Sequence, residues 1–264
     1  MNNYQIKISL ILLCIILIIS ISSLFLNKYN DINLNNIFLP VFSKDHYLGT
    51  DQFGRDILSR ICRGTLTSVI VGLLASTIAS IIGISIGLVA GFYKKIDSIV
   101  MRFVDIVQSF PTLLILIALI SVFKPSIQLT IIVIGIVSWT GIARIVRGQV
   151  LTIKSKEYVQ SAISLGYSQY RILFYHILIN CLSPIIIVFT LGVSNAIMFE
   201  AGLSFLGLGI QPPNPSLGRM INEGKDFIMI EPNLIIVPSI ILSIIVISFN
   251  LLGEGLREIL DVKN

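Results

Sequence analysis

Long apolar runs separated by short polar gaps dominate the chain, and six of them approach the roughly 20 residues that cross a bilayer. They run over about Ile8 to Leu26, Ser68 to Phe92, Arg102 to Phe123, Leu129 to Ala143, Ile172 to Phe199 and Ile235 to Leu252. The first is too long for a signal-peptide core and has no small-residue cleavage site, which predicts a retained helix. The fourth is short and extends to Val146 if Arg144 and Arg147 snorkel to the interface. Pro184 inside the fifth predicts a kink. In the second, Gly83, Gly87 and Gly91 recur every fourth residue. They either permit close contact with another helix or are incidental on a lipid-facing surface. The pattern predicts an all-α polytopic membrane protein of about six transmembrane helices in a single domain, 1–264. Within it, 1–30 holds the N-terminal helix, 31–67 an external segment and 68–264 a five-helix core.

Composition agrees with this division. Hydrophobic residues make up 55% of the 264 and charged residues 12%, with mean hydropathy +0.91. Soluble domains carry about 25% charged residues, so hydrocarbon is the expected solvent for most of this surface. The net charge of +5 is basic enough to raise nucleic acid as a partner. However, the basic residues sit in short gaps between apolar runs, with no basic stripe interleaved with aromatics, which argues against nucleic-acid binding. Lys94, Lys95, Arg144, Arg147, Lys154, Lys156 and Arg171 fall in two of these gaps, whereas Glu200, Glu223, Asp226 and Glu231 dominate the gap after the fifth run. By the positive-inside rule, both termini and the basic gaps face the cytoplasm. The segment holding Lys28, Lys44, Arg55, Arg60 and Arg63 is the exception, and long segments obey the rule weakly. Cys14, Cys62 and Cys181 form no CxxC pair, and His46 and His176 are far apart, so no metal site is expected.

Between the fourth and fifth runs lies a short soluble stretch with helical signals. Ser155 is placed to cap a helix, and Glu157 falls in its first turn. Tyr158, Val159, Ala162, Ile163 and Leu165 recur at helical spacing, and Gly166 suits a left-handed helix end. A second helix after Ser168 would feed directly into the fifth run. This unit is either an amphipathic helix on the membrane surface or a rigid knob that docks in another protein and moves the fifth helix.

Other polar residues carry two readings each. Gly49, Thr50, Asp51, Gly54, Arg55 and Asp56 form either a self-satisfied turn and capping network or a docking surface. The glycine- and proline-rich stretch Glu200 to Pro215 suits a re-entrant or gate element if protein buries it. Asp105 and Gln108 near one end of the third run reach interfacial water or serve a site. Asn180, Asn195 and Asn250 are expected to bond between helices, and Asn180 and Asn195 are also candidates to line a pathway.

Three of these stretches together resemble permeases of the ATP-binding-cassette importers. Gln160-Ser161-Ala162 with Gly166, followed by His176 to Asn180, is similar to the loop that carries a Glu-Ala-Ala triplet, a glycine and an Ile-x-Leu-Pro-like end. Gln160, Ser161 and Ile179 depart from that pattern. His46 to Asp56 resembles the LGTDxxGRD signature of dipeptide, oligopeptide and nickel permeases. Ser204 to Pro213 resembles their SFLGLGxxPP segment, and Phe249 to Arg257 their final helix end. The similarity is greatest to the C-type partner of the permease pair.

The resemblance implies an importer subunit forming half of a translocation path for peptides or nickel. It implies a coupling helix between the fourth and fifth spans, at Glu157, Tyr158, Val159, Ser161, Ala162, Ile163, Leu165 and Gly166. The implied partners are a homologous second permease, two ATP-binding subunits and an extracytoplasmic solute-binding protein, all at a bacterial cytoplasmic membrane. The chain has no GxxxxGK[ST] loop, since Asp226 follows Gly224-Lys225, so ATP and magnesium are expected on partner subunits and no cofactor on this chain. It also lacks the paired aspartates or His-Glu-x-x-His helix of an intramembrane enzyme. The alternative class is a stand-alone ion-coupled secondary transporter, disfavoured by the scarcity of charge at mid-depth in the second, fourth and sixth runs.

Overall fold

The computed structural model describes residues 4–26 and 29–261, so Lys28 lies outside the described residues. Ten α-helices follow in order among them: α1 Tyr4–Ser22, α2 Ile57–Phe92, α3 Lys94–Gln108, α4 Thr112–Ser121, α5 Ile127–Lys154, α6 Glu157–Ser164, α7 Gln169–Arg171, α8 Leu182–Phe205, α9 Leu217–Gly224 and α10 Asn233–Asp261. α7 and α8 belong to one apolar span, Gln169–Phe205, joined by a π-helical stretch at Ile172–Leu178 and a 3-10 turn at Ile179–Cys181. Five helical spans are long and apolar enough to cross a membrane, and the α3–α4 pair makes a sixth if counted as one.

The third span departs from the straight helix expected from Arg102 to Phe123. α3 and α4 meet at 82° across Ser109, Phe110 and Pro111. Proline has no N–H for a continuing helix and disfavours helical geometry at the residue before it. α3 also carries Lys94, Lys95, Asp97, Arg102 and Asp105, too polar a surface for full burial in lipid. α2 begins at Ile57 rather than Ser68, because Asp56 caps it through the Ser59 N–H at 2.8 Å. Its first turns hold Arg60 and Arg63, which mask the helix in a hydropathy reading.

α2 and α5 form the most extensive helix pair, and the every-fourth-residue glycines are the reason. A Cβ on Gly87 would stand 2.7 Å from the Ala143 carbonyl oxygen, and one on Gly91 would stand 2.6 Å from Val150 Cβ. From the other side, Gly135 of α5 leaves room for Ile78 of α2. With lipid on the outside, such close approach stabilises helix pairs by van der Waals contact rather than by hydrophobic transfer. Lys154 at the end of α5 donates to the Phe92 carbonyl at 2.6 Å, satisfying a free carbonyl at the end of α2. α8 packs on α2 and α10, and α1 packs on α10. Pro184 in the first turn of α8 has no N–H for the Asn180 carbonyl, and the π-helical and 3-10 turns lie just before it.

Candidate functional site

Three regions along the bundle carry the polar chemistry, one at each end and one between them. The first end holds the segment before α2. Gly49 and Gly54 take positive φ of 78° and 69°. A Cβ at Gly54 would lie 1.9 Å from the Asn33 carbonyl oxygen, so only glycine fits. Thr50 accepts the Leu39 N–H at 2.8 Å and donates to the Asn36 carbonyl. Asp51 accepts from the Phe53 and Arg55 N–H groups and binds Arg55 Nε at 2.7 Å. Asp56 takes His46 Nδ1 at 2.9 Å besides capping α2.

This network reaches α9, which sequence reasoning did not connect to it. Arg55 Nη2 donates to Glu223 Oε2 at 2.9 Å, Arg60 Nη2 to the same oxygen at 2.8 Å, and Arg219 Nε to Oε1 at 2.9 Å. Burial would raise the Glu223 carboxyl, but Arg60, Arg219 and Arg55 outweigh it and hold it below the usual glutamate value. Gly49, Thr50, Asp51, Gly54, Arg55 and Asp56 are all buried, so their charges face one another and the bundle.

Glu200 is a second residue that the sequence concealed. The hydropathy pattern assigns it to the gap after the fifth run, yet it lies within α8 and is fully buried. Ser68 Oγ of α2 donates to its Oε2 at 2.8 Å and Ser204 Oγ to its Oε1 at 2.7 Å. The available signal was a glutamate in an apolar run with a serine one helical turn later.

Between the ends, a cavity of about 550 Å³ opens among α2, α5 and α8, with Gln108 and Thr112 at its edge. Its polar lining consists of Ser76, Gln108, Thr112, Ser138, Thr140 and Asn195, set among Ala75, Val137, Ile142 and Phe199. Among the described residues, no carboxylate or cation lines it. Gln108 Nε2 donates to Thr140 Oγ1 at 3.4 Å. A second cavity of about 460 Å³ continues towards the α6 end, and Ile145, Val188 and Leu191 line both. Of the two asparagines proposed for a pathway, Asn195 lines the larger cavity. Asn180 lines neither and donates to the His176 carbonyl at 2.6 Å. Asp105 is exposed and pairs with Arg144, itself exposed, while Asp97 binds Arg147 through two hydrogen bonds of 2.8 and 2.6 Å. These pairs tie the polar face of α3 to α5.

The far end carries α6. Ser155 is not its cap, because Ser155 closes α5 by donating to the Thr152 carbonyl, and Lys156 takes the cap position. The end of α6 follows the expected glycine turn. Gly166 has φ 77°, its N–H bonds the Ile163 carbonyl at 3.0 Å, and the Tyr167 N–H bonds Ala162 at 3.2 Å. The expected apolar face divides in two. Val159 and Ala162 are buried against Ile172, Ile177 and Cys181, whereas Tyr158, Ile163 and Leu165 are exposed, Leu165 by 73%. Glu157, Ser161 and Gly166 are exposed beside them. Tyr170, Phe174 and Tyr175 extend this exposed apolar surface onto the start of the fifth span.

This arrangement has counterparts among known proteins. The chain is 41% identical over 222 residues to the dipeptide transport system permease protein DppC of Alkalihalophilus pseudofirmus, covering 84% of this chain and 73% of the relative. It is 37% identical to the oligopeptide transport system permease protein OppC of Haemophilus influenzae, covering 100% and 86%. A glutathione transport system permease protein, GsiD of Pectobacterium atrosepticum, is 40% identical over 84% and 74%. The fold is shared with a chain from inward-facing structures of the MetNI methionine ABC transporter, at TM-score 0.65 and 17% identity over 76% of this chain and 96% of that one. The profile described as binding-protein-dependent transport system inner membrane component matches residues 80–263. Seventy per cent of the chain thus follows one family pattern, with close relatives across the remainder: this protein belongs to the family of binding-protein-dependent transport system inner membrane components.

Proposed function

We propose that this chain supplies half of the peptide path through an ATP-binding-cassette importer. Its partners are a homologous second permease, two ATP-binding subunits that hold ATP and magnesium, and an extracytoplasmic solute-binding protein. The observation that carries this is the division of α6, with Val159 and Ala162 locked into the bundle while Tyr158, Ile163 and Leu165 face outward. A surface helix with one face fixed to a membrane span and the other apolar and free suits a partner that pushes on it. Force on Leu165 and Tyr158 would pass through Val159 into Ile172 and Ile177, at the start of the Gln169–Phe205 span. The π-helical turns there are loosely bonded backbone that can absorb a change of register. Rocking of that span would open the cavities alternately to either side.

The α6 end and both termini then face the cytoplasm, in keeping with Lys94, Lys95, Lys154, Lys156 and Arg171 at that end. The Asp51 segment and α9 face outward. Peptide cargo is supported by the relatives that transport dipeptides, oligopeptides and glutathione. It also suits a cavity lined by hydroxyl and amide groups, which complement a peptide backbone. Among the described residues no group of three or more His, Cys, Asp or Glu could hold a metal ion, which favours peptide over nickel.

Co-purification of the tagged chain in mild detergent, read by mass spectrometry and ATPase activity, tests the assignment. Wild type is expected to bring a second permease and an ATP-binding subunit. Leu165→Asp, which alters only exposed surface, and Gly166→Asp should lose the ATP-binding subunit and keep the permease. Peptide transport by the purified chain alone, with no ATPase attached, would instead establish the ion-coupled alternative.

A further inference from the structure

The buried Glu200 has a geometry that neither helix packing nor cavity lining requires. Two serine partners, Ser204 and Ser68, each accept a backbone N–H from the segment that follows α8, which also brings Ser216 to the carboxyl. The Ile210 N–H donates to Ser204 Oγ at 3.1 Å, and the Leu217 N–H donates to Ser68 Oγ at 3.4 Å. Both serine hydroxyls in turn donate to the two oxygens of Glu200, at 2.7 and 2.8 Å. One carboxyl therefore stands a single hydroxyl away from both ends of the segment 210–217. The fit is tight at each end. A Cβ on Gly209 would lie 2.3 Å from Ser204 Oγ, and one on Gly218 would lie 2.4 Å from the Ala201 carbonyl oxygen.

The segment joins the apolar cluster that borders the larger cavity. Leu208 and Ile210 pack with Val71, Ile134 and Ala196, and Ile134 and Ala196 also line that cavity. Glu200 directly follows Phe199, another lining residue. A carboxyl buried at this depth is expensive, and an aliphatic side chain would fill the same space without orienting either serine. We infer that Glu200 is a positioning residue for transport, latching the segment 206–217 through Ser204 and Ser68 so that it closes one end of the path. The latch joins α2, α8 and the start of α9 through hydroxyl bonds that can break and reform together as the segment moves. It does not depend on the cargo, and only the uptake arm below rests on the proposed function.

Ile210, fully buried, is the reporter. In a background with Cys14, Cys62 and Cys181 replaced, Ile210→Cys is labelled with a water-soluble maleimide in open membrane fragments, where both faces of the membrane are accessible. The parent is expected to react slowly. Glu200→Ala should raise the labelling rate about tenfold or more, the scale of losing a buried hydrogen bond. Ser68→Ala combined with Ser204→Ala should do the same with the carboxyl in place, which keeps the test decisive if Glu200→Ala fails to assemble. Glu200→Gln retains the length and one acceptor and should stay near the parent rate. The latch is overturned if both alanine variants leave the cysteine protected, or if the glutamine variant reacts as fast as the alanine variant. In parallel, assembled complexes carrying Glu200→Ala should import peptide more slowly than wild type, and Glu200→Gln should restore import; equal import by the alanine variant would overturn the positioning role. If wild type imports no peptide, the transport reading fails while the labelling comparison still decides the latch.

Discussion

Glu223 shows how single side chains hold the Asp51 segment to the rest of the molecule. Three guanidiniums converge on it, and Arg60 is only 3% exposed. Removing one member of a buried ion-pair cluster strands the others, at a cost of about 3–5 kcal/mol. Asp51 remains as a partner for Arg55 and Arg60, so Glu223→Ala should fall at the lower end, about 3 kcal/mol. Thermal unfolding of the detergent-solubilised chain would measure it, with an unchanged midpoint meaning that Asp51 alone neutralises both arginines. The pH dependence has a definite sign. The arginines depress the Glu223 pKa in the folded protein, so its stabilisation is present in full above the ordinary glutamate value of about 4.5 and is lost as pH falls below that through the lower folded value. The advantage of wild type over Glu223→Gln should therefore be constant above about pH 5 and shrink on acidification below about 4.5. An advantage that grows on acidification would contradict the assigned ion pairing.

At the scale of elements, the glycine seam between α2 and α5 sets the spacing of the bundle. Gly87→Val would drive its side chain into Ala143 and Val146, and overpacking of this kind costs about 1–3 kcal/mol. On α5, Gly148 has nothing within 4 Å of an added Cβ, so Gly148→Ala should not lower the unfolding midpoint of the purified chain, and its better helix propensity should raise it slightly. Equal effects at the two sites would show that the seam does not govern packing. The regular spacing of Gly83, Gly87 and Gly91 was visible in the sequence, but their partner was not, because periodicity gives a face and not what covers it. Gly166 was legible for the opposite reason: a helix end is local, and its hydrogen bonds involve residues within five positions. The α3–α4 break at Pro111 was missed because a hydropathy window averages across a single proline. The early start of α2 was missed because Arg60 counts as polar in sequence, although Asp51 and Glu223 neutralise it in the fold. Glu200 was misplaced by the same logic, as a charge taken to mark the end of a span.

At the scale of the whole molecule, the order of polar groups along the bundle makes a single chemical profile. A buried ion-pair cluster occupies one end, neutral hydroxyls and amides line the middle cavity, and an exposed apolar knob stands at the other end. Each group's type is legible along the chain, but distances of more than a hundred residues separate Arg55 from Glu223 and Ser68 from Glu200, and only the folded bundle brings them together. The same holds for the two asparagines. Both lie on the span that continues from α6, yet Asn195 faces the cavity and Asn180 does not. Their difference gives a test of the path. Asn195→Trp would fill part of the 550 Å³ cavity with a rigid ring, narrowing it without touching the exposed surface of α6. Long peptides need the full width, so their uptake into reconstituted vesicles should fall at least about tenfold, equivalent to about 1.4 kcal/mol. Dipeptide uptake should fall less, and ATPase assembly should be unchanged. Asn180→Trp, lining neither cavity, should leave the ratio of long-peptide to dipeptide uptake at the wild-type value. If Asn195→Trp transports peptides of all lengths as wild type does, the cargo passes elsewhere, and the cavity between α2, α5 and α8 is a packing defect rather than a route.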